Sequence, residues 1–179
     1  MTEEGENYII LMLGAAEGPI PSPEHLQKEV FLLCEAVPKL KDLFLFEPHY
    51  KGPFSQSLYE EARDPFFNSS AYAYDSSGRL VLTVEGKRKY DSMARQYNSD
   101  ARFGKVVQSM KLIRSLYDRL TRDELLLLIY VTYREYIVLS NVYDSLVRDP
   151  ARRKSLADSL LEKGAITEDR HKEILTLKV

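Results

Sequence analysis

One short stretch most constrains the fold: Asp75-Ser76-Ser77-Gly78, set between Ser70–Tyr74 and Arg79–Thr83. Gly78 can take the positive φ of a tight turn, and the flanking runs carry Tyr, Leu, Val and Thr, so the segment predicts a β-hairpin. Most of the chain around it has helical spacing. Tyr8–Ala16 is an apolar run stopped by Gly18-Pro19. Ser22-Pro23-Glu24 supplies a side-chain cap, a proline for the first turn and an acid for the positive end of the helix dipole. The helix it opens carries Leu26, Val30, Leu33 and Val37 on one face and ends at Pro38. Phe44–Glu47 reads as extended, and His49–Phe54 as a turn punctuated by Gly52 and Pro53. Ser55 caps a third helix from Gln56 to about Arg63, which Pro65 stops. After the hairpin, Thr83 caps a helix over Gly86–Asn98.

Three helices, a two-stranded wing and another helix follow the order of a winged-helix domain. The predicted class is therefore mainly α with a small β-hairpin wing (α+β). A winged-helix domain covers 1–98 and a helical extension covers 99–179. The boundary is predicted near 98–104, where Asn98-Ser99-Asp100 and Gly104 interrupt the pattern. In the extension Val106, Met110, Ile113, Tyr117 and Leu120 recur at four, three, four and three. That is a partner-facing seam, and it predicts a dimer or domain contact. Thr121 caps the next helix, which holds Leu125–Ile129, Tyr130, Tyr133 and Ile137. Further helices are predicted over Asn141–Val147, from Asp149-Pro150 to Lys163-Gly164, and after Thr167. The last two form a hairpin similar to short C-terminal oligomerisation hairpins.

A chain of 179 residues can bury a core without a staple. Its one cysteine, Cys34, excludes an intramolecular disulfide and a Cys-rich zinc site. The acidic N-terminus is unlike a secretory signal, and no apolar run approaches the roughly 20 residues of a membrane span. A cytoplasmic protein without a membrane partner is expected.

The net charge of −2 conceals an asymmetry. Residues 1–84 hold 6 basic against 13 acidic side chains, and 85–179 hold 19 against 14. Ten cations lie in 87–122 against three acids, Asp91, Asp100 and Asp118. This block has two readings. It is a nucleic-acid surface beside the wing, or it is matched by the acidic first half or by another chain. The third helix of a winged helix usually enters the major groove, but residues 51–64 carry Lys51 and Arg63 against Glu60, Glu61 and Asp64. Candidate DNA contacts are Ser55 and Gln56 for bases, and Arg79, Lys87, Arg88 and Lys89 for phosphates.

No phosphate loop, dinucleotide fingerprint, paired-His metal motif or nucleophile elbow is present. No catalytic residue, metal ligand or cofactor is predicted. Cys34, beside Leu32 and Leu33, reads as a packed core thiol. Glu60, Glu61 and Asp64 read as a solvated helix face.

Phe46-Glu47-Pro48-His49-Tyr50-Lys51-Gly52-Pro53-Phe54-Ser55-Gln56-Ser57-Leu58 resembles the F-x-x-x-x-Y-G-P-[YF]-S-x-x-L signature of YwgA-like prokaryotic proteins and of related Panacea (SocA-like) antitoxin domains. Leu26-Gln27-Lys28 before Val30-Phe31-Leu32-Leu33 is similar to the L-Q-K-x-x-[YF]-L-L helix of that group. Leu128–Tyr136 is similar to its I-Y-x-x-Y-P-E-Y helix, with Arg134 in place of proline. Lys51 stands between Tyr50 and Gly52, where the signature has its Tyr and Gly adjacent. The resemblance covers roughly residues 8–140 and implies a non-catalytic module that binds a protein partner or its own copy; duplex DNA is the alternative partner, which the winged-helix order and the basic block leave open. The motif residues Tyr50, Gly52, Pro53, Phe54, Ser55 and Leu58 also have a structural reading: Gly52 permits the turn, Pro53 sets φ, and Ser55 caps the helix.

Overall fold

The computed structural model describes residues 2–97 and 101–177, apart from the side chains of Tyr97, Ala101 and Arg102. The chain is mainly helical with two small antiparallel hairpins, an α+β protein. It divides into two compact units, Met1–Phe46 with Ser55–Asp118, and Glu47–Phe54 with Arg119–Val179. The boundary predicted at 98–104 falls partly on 98–100, outside the described residues. The helix that follows it belongs to the first unit.

In the first unit, α1 (Glu3–Gly14) starts earlier than its apolar run predicts. Thr2 caps it, its hydroxyl accepting the Gly5 N–H at 3.0 Å, and Glu3, Glu4 and Glu6 occupy its first turn. Helix α2 (Pro23–Ala36) begins as predicted, with Ser22 accepting the His25 N–H at 3.2 Å and Pro23 in the first turn. A 3₁₀ turn, Pro38–Asp42, follows. Helix α3 (Gln56–Arg63) is capped by Ser55. The predicted hairpin is present as β3 (Tyr72–Tyr74) and β4 (Leu80–Leu82), with Tyr72 opposite Leu82 and Tyr74 opposite Leu80. Ile20 and Leu80 exchange two backbone hydrogen bonds of 3.0 Å, so a single residue extends that sheet. Helix α4 (Val84–Tyr97) starts so close to the sheet that a Cβ on Gly86 would lie 1.8 Å from the Ala71 carbonyl oxygen.

Helix α5 (Ala101–Tyr117) packs against α1 and α2. Met110 and Ile113 are buried in one cluster with Ile9, Ile10, Leu26 and Leu33, and Val106 and Tyr117 pack against it. The seam is therefore covered within the chain, the second of its two readings, a dimer or a domain contact. A four-three repeat specifies an apolar helix face but not what covers it, and here α1 and α2 of the same unit do. Leu120, the fifth residue of the repeat, is buried and belongs to the second unit.

The second unit opens with β1 (Glu47–His49) and β2 (Gly52–Phe54). Of the turn predicted at His49–Phe54 only Tyr50-Lys51 is a turn: His49 ends β1 and pairs with Gly52, which opens β2 with φ +80°. Helix α6 (Arg122–Thr132) has a full capping box between Thr121 and Glu124, and it buries Leu125, Leu126, Leu127 and Ile129. It stops at Thr132, so Ile137 lies in a 3₁₀ turn, Arg134–Ile137. A single π turn, Asp144–Arg148, stands where a helix over Asn141–Val147 was predicted. Helices α7 (Pro150–Glu162) and α8 (Glu168–Leu175) follow their predicted caps, Asp149 and Thr167, with Gly164 at φ +62° between them.

One buried group makes stability depend on pH. Glu29 of α2 is fully buried, and no donor reaches either carboxylate oxygen. Burial, then the neighbouring Asp118, pushes its carboxyl well above the ordinary 4.5, against the pull of Arg114, whose Nε lies 3.7 Å away. The folded state therefore keeps a proton that the unfolded state has lost, and stability falls as pH rises from about 4.5 through the raised folded value. Glu29→Gln removes this loss, so its stability relative to the wild type should improve from about pH 5 to about pH 8 in urea titrations. An equal difference at both pH values would show that the carboxyl titrates normally.

Candidate functional site

The predicted nucleic-acid contacts do not form one free surface. Ser55 is fully buried. Its N–H donates to Gln27 Oε1 at 2.8 Å, its carbonyl accepts from Gln27 Nε2 at 3.0 Å, and its hydroxyl caps the Leu58 N–H at 3.4 Å. A side chain committed to a helix cap inside the core cannot read a base, which corrects that assignment. Gln56 is exposed and donates to Glu60 Oε1 at 2.7 Å. Arg79 folds back on its own turn, with Nε and Nη2 each 2.8 Å from Asp75 Oδ2. The Arg79 backbone amide and guanidinium together hold Asp75 below the usual carboxylate range.

Within the basic block, Arg88 lies 3.8 Å from Glu85, and Lys89 donates to Asn68 Oδ1. Lys87 is exposed and makes no ion pair among the described residues. Arg114 is wholly internal, and Arg122 is bonded to Asp123 at 3.1 Å. Arg102 lies outside the described side chains. The excess positive charge is thus partly spent on acceptors of the chain itself.

A different surface is built deliberately. Pro65 ends the turn after α3, and the next three amides converge on one carboxylate. Glu6 of α1, fully buried, accepts from Phe66 N at 2.7 Å, Phe67 N at 3.1 Å and Asn68 N at 2.6 Å, and from Asn68 Nδ2 at 3.1 Å. Successive backbone N–H groups form an anion-binding concavity, and here a side chain fills it. The other end of Asn68 accepts from Lys89 on α4. The loop is therefore held from α1 and α4, while its two aromatic side chains point away from the core. Phe66 is 71% and Phe67 48% exposed, and their rings meet edge to face with centroids 5.0 Å apart.

A second carboxylate ties the same region. Glu61 was predicted on a solvated face, but it is buried, accepting the Thr2 N–H at 2.7 Å, and burial raises its carboxyl pKa. It stands three residues after Leu58 on the inward side of α3, while Glu60 and Asp64 are exposed.

The signature motif is mainly structural. Leu58 is fully buried, Gly52 and Pro53 are buried, and Phe54 stacks on His49 at 4.8 Å. Tyr50 is 60% exposed at the hairpin end, where its carbonyl accepts the Asn141 N–H at 3.0 Å. Cys34 is buried with its thiol pushed by burial to about 12, as suits a core residue.

Sequence reasoning overlooked Glu6, Phe66, Phe67 and Asn68. The available signal was an adjacent aromatic pair in a polar turn, outside any helical or strand period. The arrangement defines a mainly α, α+β protein that presents a fixed aromatic pair. No family model matches the chain, and no curated protein matches it.

Proposed function

We propose that this chain is a non-catalytic winged-helix interaction module with a helical extension, of the YwgA-like or Panacea (SocA-like) antitoxin kind. It acts in the cytoplasm by binding a protein partner or a second copy of itself. The element order supports the winged-helix reading, with Ile20 bridging Leu80 at the edge of the wing. The observation that carries the interaction reading is the Phe66–Phe67 pair on the loop held by Glu6. Exposed aromatic surface gains from being covered. A loop ordered in advance loses little entropy when that happens. Duplex DNA is the second reading, favoured by exposed Lys87 and Arg88 immediately after the wing.

Phe66→Ser/Phe67→Ser leaves the backbone clamp intact, so the variant should fold like the wild type. The wild-type chain is expected to self-associate with concentration in light scattering, or to co-purify with a protein from its native cells. The double variant should weaken that association at least about tenfold. Association unchanged by the variant would refute this surface. A gel-shift series at rising salt tests the second reading: duplex binding whose salt slope drops in Lys87→Ala/Arg88→Ala/Lys89→Ala would transfer the function to DNA.

A further inference from the structure

The first unit contains a concave space that the aromatic loop does not use. Between α1, the 3₁₀ turn after α2 and the first half of α5 lies an open cavity of about 630 Å³. Its walls are apolar: Tyr8, Val37, Leu40, Phe103 and Val106. The aromatic wall is fixed, with Tyr8 6.2 Å from Phe103 and edge-on to Phe44 at 6.5 Å. Lys39 and Lys105 are the charged side chains that line it, and no acidic side chain does so among the described residues. Both lysines are exposed and have no ion-pair partner among the described residues. The nearby acid Glu35 is already held by Lys41 at 2.6 Å.

A smaller cavity of about 430 Å³ shares Tyr8 and Phe103 but is lined by Glu3 and Glu4. The two spaces therefore differ in sign across one aromatic wall. An anion is attracted to the first and repelled from the second.

We propose that the larger cavity binds a small anionic amphiphile, a carboxylate carried on an apolar body. The apolar part lies against Tyr8, Leu40, Phe103 and Val106, and the carboxylate lies at Lys39 and Lys105. The volume is that of small-molecule sites, which combine mostly apolar walls with a few polar groups that orient the ligand. The lysines add charge discrimination more than affinity, since exposed ion pairs are weak. This site is independent of the aromatic loop, so the chain would carry a ligand site and a partner surface on one unit.

The test uses the full chain and three probes of equal length, sodium decanoate, 1-decanol and decyltrimethylammonium, in calorimetric titrations. Decanoate is expected to saturate a single site and to bind about tenfold more tightly than the cation. Lys39→Glu/Lys105→Glu, changing two exposed side chains, should fold normally and reverse that preference. Val106→Trp, which fills the cavity, should abolish binding of all three. Unsaturable decanoate binding, equal binding of the three probes, or an unchanged preference in the charge-reversed variant would each overturn the proposal.

Discussion

Arg114→Met is expected to cost the first unit about 3–5 kcal/mol of unfolding stability, the scale for stranding several acceptors in the interior at about 1–3 kcal/mol each. Arg114 sits on α5 with its side chain wholly inaccessible. Its Nε donates to both carboxylate oxygens of Asp118, at 2.7 and 2.9 Å. Its Nη1 donates to the carbonyls of Met12 at 2.6 Å and Leu13 at 3.3 Å, and its Nη2 to that of Gly18 at 2.7 Å. Helix α1 has no basic residue in its own last turn. Arg114 supplies both the donors and the positive charge that a helix C-terminus favours.

Methionine fills a similar volume but donates nothing, which strands those carbonyls and leaves Asp118 without its cation. Arg114→Lys should recover only part of the loss, because one ammonium cannot span acceptors on three sides. Urea titration of the three proteins measures the effect. A loss below about 1 kcal/mol for the methionine variant would mean that water replaces the guanidinium.

Glu6→Ala should destabilise by about 2–4 kcal/mol, since each buried donor left without an acceptor costs about 1–3 kcal/mol and the Phe66 and Phe67 bonds are only partly buried. The loss should be local as well as global. Amide hydrogen exchange at Phe66, Phe67 and Asn68 should accelerate well beyond the change elsewhere, because the three amides share one acceptor. Glu6→Gln keeps one oxygen and should fall between alanine and wild type. Clamp and surface separate in two other variants: Phe66→Ser/Phe67→Ser should lose partner binding at wild-type stability, whereas Glu6→Ala should lose both. Unchanged exchange in Glu6→Ala would show that Pro65 and the hairpin alone hold the loop.

Some of this architecture is local and so was legible. Ser22, Ser55, Thr121, Asp149 and Thr167 cap helices where the sequence places them, because a cap joins a side chain to amides two or three residues away. The β3–β4 hairpin was legible for the same reason, since Asp75 and Gly78 make the turn among themselves, with the Gly78 N–H donating to the Asp75 carbonyl at 2.9 Å. The charged residues of the interior were harder. Glu6 lies three residues before Ile9 and four before Ile10, on the buried face of α1, but starting the helix at Tyr8 left it outside the period. Arg114 lies four residues after Met110, but it is one of ten cations in 87–122 that the sequence does not sort into exposed and buried.

The sequence by itself determined the main helices and the β3–β4 hairpin, their order, most helix starts and the apolar faces, since all of these depend on neighbours within about one turn. Tertiary structure decided what covers each face and which charges go inside. The seam of α5 closed on α1 and α2 instead of a partner, and Arg114 reached carbonyls about a hundred residues away. A period records that a face needs cover, and a charge records that it needs a counterpart. Neither names the residue that supplies it, because that choice depends on distant segments competing for the same surface.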